Sequence, residues 1–148
     1  MKLASYIDDD LVLPDLSAGN KEEVLAELVR PLADKLGRDG ETLFEILLSR
    51  EKLGTTGIGE GVAIPHGKAD FLTDLHMVVG RSNQGVDFAA LDHKPVHVFF
   101  LVMAPEKSAG QHLKVLAFIS KLLLDSEFRR GFNEASDKQE MLEFLKSM

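Results

Sequence analysis

The longest apolar run in the sequence, Val96–Ala104, is only as long as a strand. Its residues, VHVFFLVMA, are rich in β-branched and aromatic side chains, which suit a buried strand. No stretch approaches the ~18 apolar residues that a membrane-spanning helix needs. The run must therefore be buried inside the chain's own fold. Leu75–Arg81 reads as a second strand and Gly85–Phe88 as a shorter one. Val62–Ile64 and Leu11–Leu13 read as further short strands.

Elsewhere the periodicity is helical. Val24, Leu25, Leu28, Leu32 and Leu36 fall on one face of a helix over Lys21–Leu36, with Ser17 and Asn20 as candidate caps. Pro31 should kink or divide it, and Gly37 should stop it. Asp39 is placed to cap a second helix over Gly40–Lys52, with Leu43, Phe44, Leu47 and Leu48 as its apolar face and Gly54 as its end. After Pro105 a helix over Gly110–Asp125 is expected, with Leu113, Leu116, Ala117, Ser120 and Leu124 sharing a face. Glu127–Asn133 and Lys138–Lys146 add two more helices, and Lys2–Ile7 a short helical turn. This order predicts an α/β fold: a three-layer α/β/α sandwich with a mixed β-sheet flanked by helices. There is no internal repeat, low-complexity tract or Pro/Ser-rich linker, so one domain over 1–148 is expected.

Composition excludes several functions. With no cysteine, the chain can form neither disulfides nor thiol intermediates, which fits a reducing compartment. Asp8, Asp9 and Asp10 interrupt the first apolar stretch, so MKLASYIDDDLVL lacks a signal-peptide core and a cytoplasmic protein is expected. The net charge of −7 argues against a nucleic-acid binder. It suits a partner with a basic docking surface, and simple solubility accounts for it equally well.

Five histidines are candidates for chemistry: His66, His76, His93, His97 and His112. His93 and His97 are four apart in HKPVH, a zinc spacing on a helix. Pro95 lies between them, a strand follows, and no glutamate comes directly after His93, so no metal is expected. Gly67-Lys68 is followed by Ala69 rather than Ser or Thr, and Gly61 lies one residue too far from Gly67 for a phosphate-binding loop. No nucleotide cofactor is expected. The run Gly54–Gly61 is instead suited to tight turns at positive φ, which can gather N–H groups around an anion.

His66 stands out from the rest. It follows a short apolar strand and Pro65, and Gly67 would let the chain turn away and leave the ring approachable. A neutral imidazole is a competent nucleophile toward phosphorus, since histidine titrates near ~6.5. Its other nitrogen must be held by a hydrogen bond, for which a backbone carbonyl would serve. Arg50, ahead of the glycine run, could fork onto phosphoryl oxygens. His112 falls in the first turn of a predicted helix, where free N–H groups favour an anion. Each of the two also has an ordinary reading as a surface residue, and nothing in the sequence alone brings the three together.

The segment SREKLGTTGIGEGVAIPHGKA resembles the active-site segment of phosphotransferase-system enzyme IIA domains of the fructose–mannitol class, type 2. The likeness continues through FAALDHKPVHVFFLVMAPEKSAGQHLKVLAFISKLL and covers nearly the whole chain. It implies that His66 is the phosphoryl acceptor, that Arg50 steadies the phosphoryl group, and that His112 lies beside the active ring. It further implies a mixed sheet between helical layers, a role without metal or cofactor, and a donor that is the histidine phosphocarrier HPr or its nitrogen-branch relative. The phosphoryl group would pass to a IIB domain for sugar uptake or serve as a signal toward a regulated target protein. The MKLASYI start and the FAALDHKPV segment look more like the nitrogen-regulatory branch, with a free-standing fructose–mannitol IIA component as the alternative. A non-phosphorylated interaction module of the same fold would need none of His66, Arg50 and His112. A zinc hydrolase built on His93 and His97 is opposed by Pro95.

Overall fold

The run that dominates the sequence becomes the central strand of a six-stranded sheet in the computed structural model, which describes residues 1–148 apart from the side chain of Ala109. The strands are β1 (Val12–Leu13), β2 (Gly57–Gly59), β3 (Val62–Ala63), β4 (His66–Ala69), β5 (His76–Val86) and β6 (Val96–Pro105). The helices are α1 (Lys21–Leu36), α2 (Gly40–Lys52), α3 (Ala109–Leu123), α4 (Ser126–Glu134) and α5 (Lys138–Lys146). The path across the sheet is β1-β5-β6-β3-β2, with β4 also on β6. β5 and β6 are antiparallel, whereas β1 on β5 and β3 and β4 on β6 are parallel, so the sheet is mixed.

β6 is apolar throughout because both of its faces are covered. Phe99, Leu101 and Met103 pack in one core with α1 and α2, and Val98, Phe100 and Val102 in a second core with α3, α4 and α5. That is the predicted α/β/α layering.

The caps explain why the first two helices begin where the sequence places them. Asn20 Oδ1 accepts the Glu23 N–H at 3.0 Å, and Asp39 Oδ1 accepts that of Glu41 at 3.0 Å. Ser17 is not a cap; its N–H and hydroxyl both go to the Glu27 carboxylate. Pro31 does not divide α1. The buried Leu25, Leu28, Val29 and Leu32 hold the helix on the sheet from both sides of the proline. Gly37, at φ 63°, ends it in the left-handed conformation glycine favours. α2 ends at Lys52, as the sequence predicts, with Leu53 rather than Gly54 as its C-cap.

Several expectations fail for physical reasons. Gly85 is not part of a separate strand; the ladder shifts register between Arg81 and Val86 and β5 runs on through it. The glycine run forms a hairpin with the expected tight turn at positive φ. Glu60 and Gly61 lie at φ 58° and 74° and join β2 to β3 as a two-residue turn. The N–H groups of Thr56 and Gly57 are already taken by Glu51 and Thr55. The face predicted for α3 is also wrong. Leu113 is 67% and Leu124 50% exposed, while His112, Val115, Ile119 and Leu123 are buried. The helix carries large apolar residues on more than one side, so spacing alone did not select the inward one. No helix of the described residues is long and apolar enough to cross a membrane.

Candidate functional site

His66 opens β4, opposite Val102 of β6. The chain before it is pinned on both sides. Ile64 N–H donates to Thr56 O at 3.1 Å, and Val102 N–H donates to Pro65 O at 2.9 Å. Ile64 precedes a proline, which favours an extended backbone there. Its carbonyl lies 2.8 Å from His66 Nδ1. A carbonyl can only accept, so Nδ1 carries the proton and the neutral ring has its lone pair on Nε2.

Gly67 does not turn the chain, as the sequence suggested, because it lies within β4. Its use is proximity. A Cβ built there would stand 2.6 Å from Ile46 Cγ2 on α2. The missing side chain lets α2 lie directly against the strand that carries His66.

Arg50 comes from the last turn of α2, and its Nη1 donates to Gly54 O at 2.9 Å. His112 comes from the first turn of α3, whose N-cap Ser108 makes no side-chain cap bond. The His66 and His112 ring centroids are 5.7 Å apart, edge to face at 69°. All three residues line one pocket of about 450 Å³ with Lys68 and an apolar wall that includes Leu53 and Leu113. A smaller one of about 190 Å³ adjoins it, bringing Thr55, Thr56 and Ser120 next to His66 and Arg50. The other candidates lie elsewhere in the fold. His97, in β6, has its Nδ1 2.8 Å from Ser82 O of β5, and His93 sits at φ 60° in the loop before β6. Among the described residues no group of three or more His, Cys, Asp or Glu could hold a metal ion.

Burial sets the electrostatics of the two rings. It lowers the His66 pKa below the ordinary value; the Ile64 carbonyl opposes this, the Arg50 charge adds to it and the Glu51 charge opposes it. His112 is only 2% exposed, and burial, with the neighbouring His66 and Lys68, lowers its pKa to about 4. Both rings are thus neutral at pH 7. His112 Nδ1 is buried and has no partner, a state that costs about 1–3 kcal/mol.

Two histidines thus share one pocket, one with its tautomer fixed by a backbone carbonyl and one with a buried nitrogen that has no partner. The model of the family described as phosphoenolpyruvate-dependent sugar phosphotransferase system, EIIA 2, matches residues 5–148. The chain belongs to this family. A nitrogen regulatory protein of Bradyrhizobium diazoefficiens is 37% identical over 145 residues, covering 98% of this chain and 95% of that one. The fructose-specific EIIABC component of Bacillus subtilis is 34% identical over 147 residues, which span 98% of this chain and 23% of that protein. Among solved structures, nitrogen regulatory protein IIA-Ntr of Neisseria meningitidis superposes with a TM-score of 0.90 at 30% identity, covering 97% and 98% of the two chains. Mannitol IIA of Escherichia coli shares the fold at a TM-score of 0.78 and 22% identity, with 94% and 98% covered.

Two residues of this EIIA pocket and its surroundings escaped the sequence reading, though a signal for each was present. Lys68 lies two residues beyond His66, on the same face of a strand. Glu51 continues the Leu43–Leu47 spacing onto the buried face of α2, where it is 6% exposed.

The buried His112 yields a stability test. Its folded pKa lies below the ~6.5 of an unfolded histidine, so between these values only the unfolded chain takes the proton. Stability therefore falls as pH drops from about 6.5 toward 4. In His112→Leu this loss should be shallower, and urea midpoints across that range will measure it. Parallel curves for the two proteins would contradict the assignment.

Proposed function

We propose that this EIIA protein carries a phosphoryl group on Nε2 of His66, accepted from an HPr-like histidine phosphocarrier protein. The observation that carries the proposal is the 2.8 Å bond from His66 Nδ1 to Ile64 O. It leaves Nε2 as the nucleophile in a ring that burial keeps neutral. In the transfer, the P–N bond to the donor histidine breaks as the bond from phosphorus to Nε2 forms. The electron pair of the broken bond stays on the donor ring, and Nδ1 of His66 keeps its proton. Such a step needs in-line placement and charge stabilisation rather than covalent help. Arg50 and Lys68 supply positive charge at the pocket, and His112 supplies a polar ring without a competing partner. No metal or cofactor has a part in the proposal.

We assign the protein a regulatory role, signalling to a target protein through its phosphorylation state in the cytoplasm. The likeness to the Bradyrhizobium and Neisseria nitrogen regulatory proteins over nearly their full lengths favours it. The likeness to fructose-specific components supports the second reading, transfer to a IIB domain for sugar uptake. Mannitol IIA has been solved in complex with phosphorylated IIB, which makes such a partner the natural comparison.

The test is reconstitution with phosphoenolpyruvate, enzyme I and either HPr or the nitrogen-branch carrier. An acid-labile phosphoryl adduct is expected. Preference for the nitrogen-branch carrier supports the regulatory reading, and preference for HPr the sugar reading. No adduct with either would overturn the proposal and leave the non-phosphorylated interaction module. Arg50→Ala should stay folded, since Arg50 caps only its own loop, and accept the phosphoryl group on the order of 10- to 100-fold more slowly. Unchanged single-turnover rates would remove Arg50 from the mechanism.

A further inference from the structure

Beside the pocket lies a charge that the proposed transfer does not use. The Glu51 side chain is 2% exposed. Its neighbours on the inner face of α2, Leu43 and Leu47, are apolar, and a third leucine would complete that face at lower desolvation cost, because burying a carboxylate is expensive unless it is paired and fully bonded. Glu51 is both. Lys21, from the first turn of α1, places Nζ 2.9 Å from Oε1. The same oxygen accepts the Thr56 N–H at 3.1 Å, and Oε2 accepts the Thr56 hydroxyl in a closer contact. Lys21 is itself seated over the Phe88 ring, 4.7 Å from its centroid.

These bonds lead to the reacting ring. Glu51 fixes Thr56 by both its N–H and its hydroxyl. Thr56 O in turn receives the Ile64 N–H at 3.1 Å. The Ile64 carbonyl is the one that holds His66 Nδ1. The same segment begins with Gly54, whose N–H donates to the Glu51 carbonyl at 3.1 Å and whose own carbonyl receives Arg50. One ion pair, its carboxylate buried and its ammonium partly exposed, thus secures the loop from which both His66 and Arg50 are aimed.

We propose that Glu51, neutralised by Lys21, is a positioning residue for phosphoryl transfer: through Thr56 and Ile64 it fixes the tautomer and orientation in which His66 presents Nε2. This rests on the role proposed for His66. Glu51 touches neither the ring nor the phosphoryl group. Lys21 cancels its charge, so the anchor does not repel the incoming phosphoryl dianion.

The test uses two readouts on the full chain. Glutamine at position 51 can still accept the Thr56 N–H at Oε1, but its Nε2 cannot accept the Thr56 hydroxyl and the Lys21 charge is left uncancelled. Glu51→Gln should therefore lower kcat for acceptance about ten-fold and leave KM for the carrier within two-fold, because the docking surface is untouched. In the imidazole ¹⁵N spectrum of the unphosphorylated protein, wild-type His66 should be the Nδ1–H form, and Glu51→Gln should show a mixture with Nε2–H. Thr56→Val should reproduce both effects and Thr56→Ser should restore both, which keeps the test decisive if Glu51→Gln does not fold. Wild-type kcat and a wild-type ring spectrum in Glu51→Gln, or in Thr56→Val should Glu51→Gln not fold, would overturn the inference. The spectrum is read without any carrier, so failure of the wild-type protein to be phosphorylated would count against the proposed function and not against the anchoring of the ring.

Discussion

His66→Ala is expected to take up no phosphoryl group from either carrier while remaining folded. The fold should survive because His66 is half-buried at the start of a short strand, and its side chain contributes one hydrogen bond, worth about 1 kcal/mol. Phosphohistidine formation should be lost entirely because neither His112 nor Lys68 can take its place. Among the described residues, His112 is the only other histidine lining the pocket, and it is 2% exposed. Attack on phosphorus needs the nucleophile about 3–3.5 Å away and in line. His112 lines the pocket, but its enclosed ring leaves a phosphohistidine on another protein no in-line path to one of its nitrogens. Lys68 is exposed, but as an ammonium it has no lone pair to offer. Labelled phosphoenolpyruvate with enzyme I and a carrier gives the measurement, with circular dichroism as the control for folding. An acid-labile label persisting in His66→Ala would move the acceptor to another residue.

What could be read from the sequence was governed by where each residue's partners lie. α1 and α2 begin where their caps predict, because Asn20 and Asp39 each bond an N–H within three residues. β6 was legible because burial on both faces leaves an unbroken apolar run. Arg81 was not. It is buried, and its guanidinium bonds to carbonyls of Pro14, Phe132 and Ala135, drawn from both ends of the chain. Nothing in its neighbourhood in sequence marks it. The inward face of α3 failed for the opposite reason: the local pattern offered two answers, and only packing against Val98, Phe100 and Val102 decides between them.

The pocket shows the same division. His66, Arg50 and His112 were selected by residue type and setting, and the fold brings them to one cavity. The burial of His112 was not foreseen, because its position at a helix start suggested a surface residue. The reading of Gly67 as a turn was wrong, since a glycine that turns and a glycine that makes room look alike until the approaching element is known. Here that element is α2, and the residue that comes close is Ile46.

Adding a single methyl group at Gly67 is therefore expected to damage fold and site together. Gly67 has no positive φ, so alanine meets no backbone strain there, and the cost is steric alone. The new Cβ would lie 2.6 Å from Ile46 Cγ2, with Met103 Sδ at 3.5 Å on another side. Isoleucine in a helix is stiff at χ1, so its methyl group cannot swing clear without an unfavourable rotamer. α2 and β4 must separate instead. Overpacking of this kind costs about 1–3 kcal/mol, which a lowered urea midpoint will report. Because α2 carries Arg50 and β4 carries His66, the separation also widens the pocket, and phosphoryl acceptance should fall by more than the loss of folded protein explains. Ile46→Ala supplies the control. Alone it should destabilise the protein, since Ile46 packs against the core. Combined with Gly67→Ala it removes the clashing methyl group, so the double variant should be more stable than Gly67→Ala and recover phosphorylation. Additive losses in the double variant would show that Gly67 is needed for something other than the close approach of α2, because two changes that share one contact must couple.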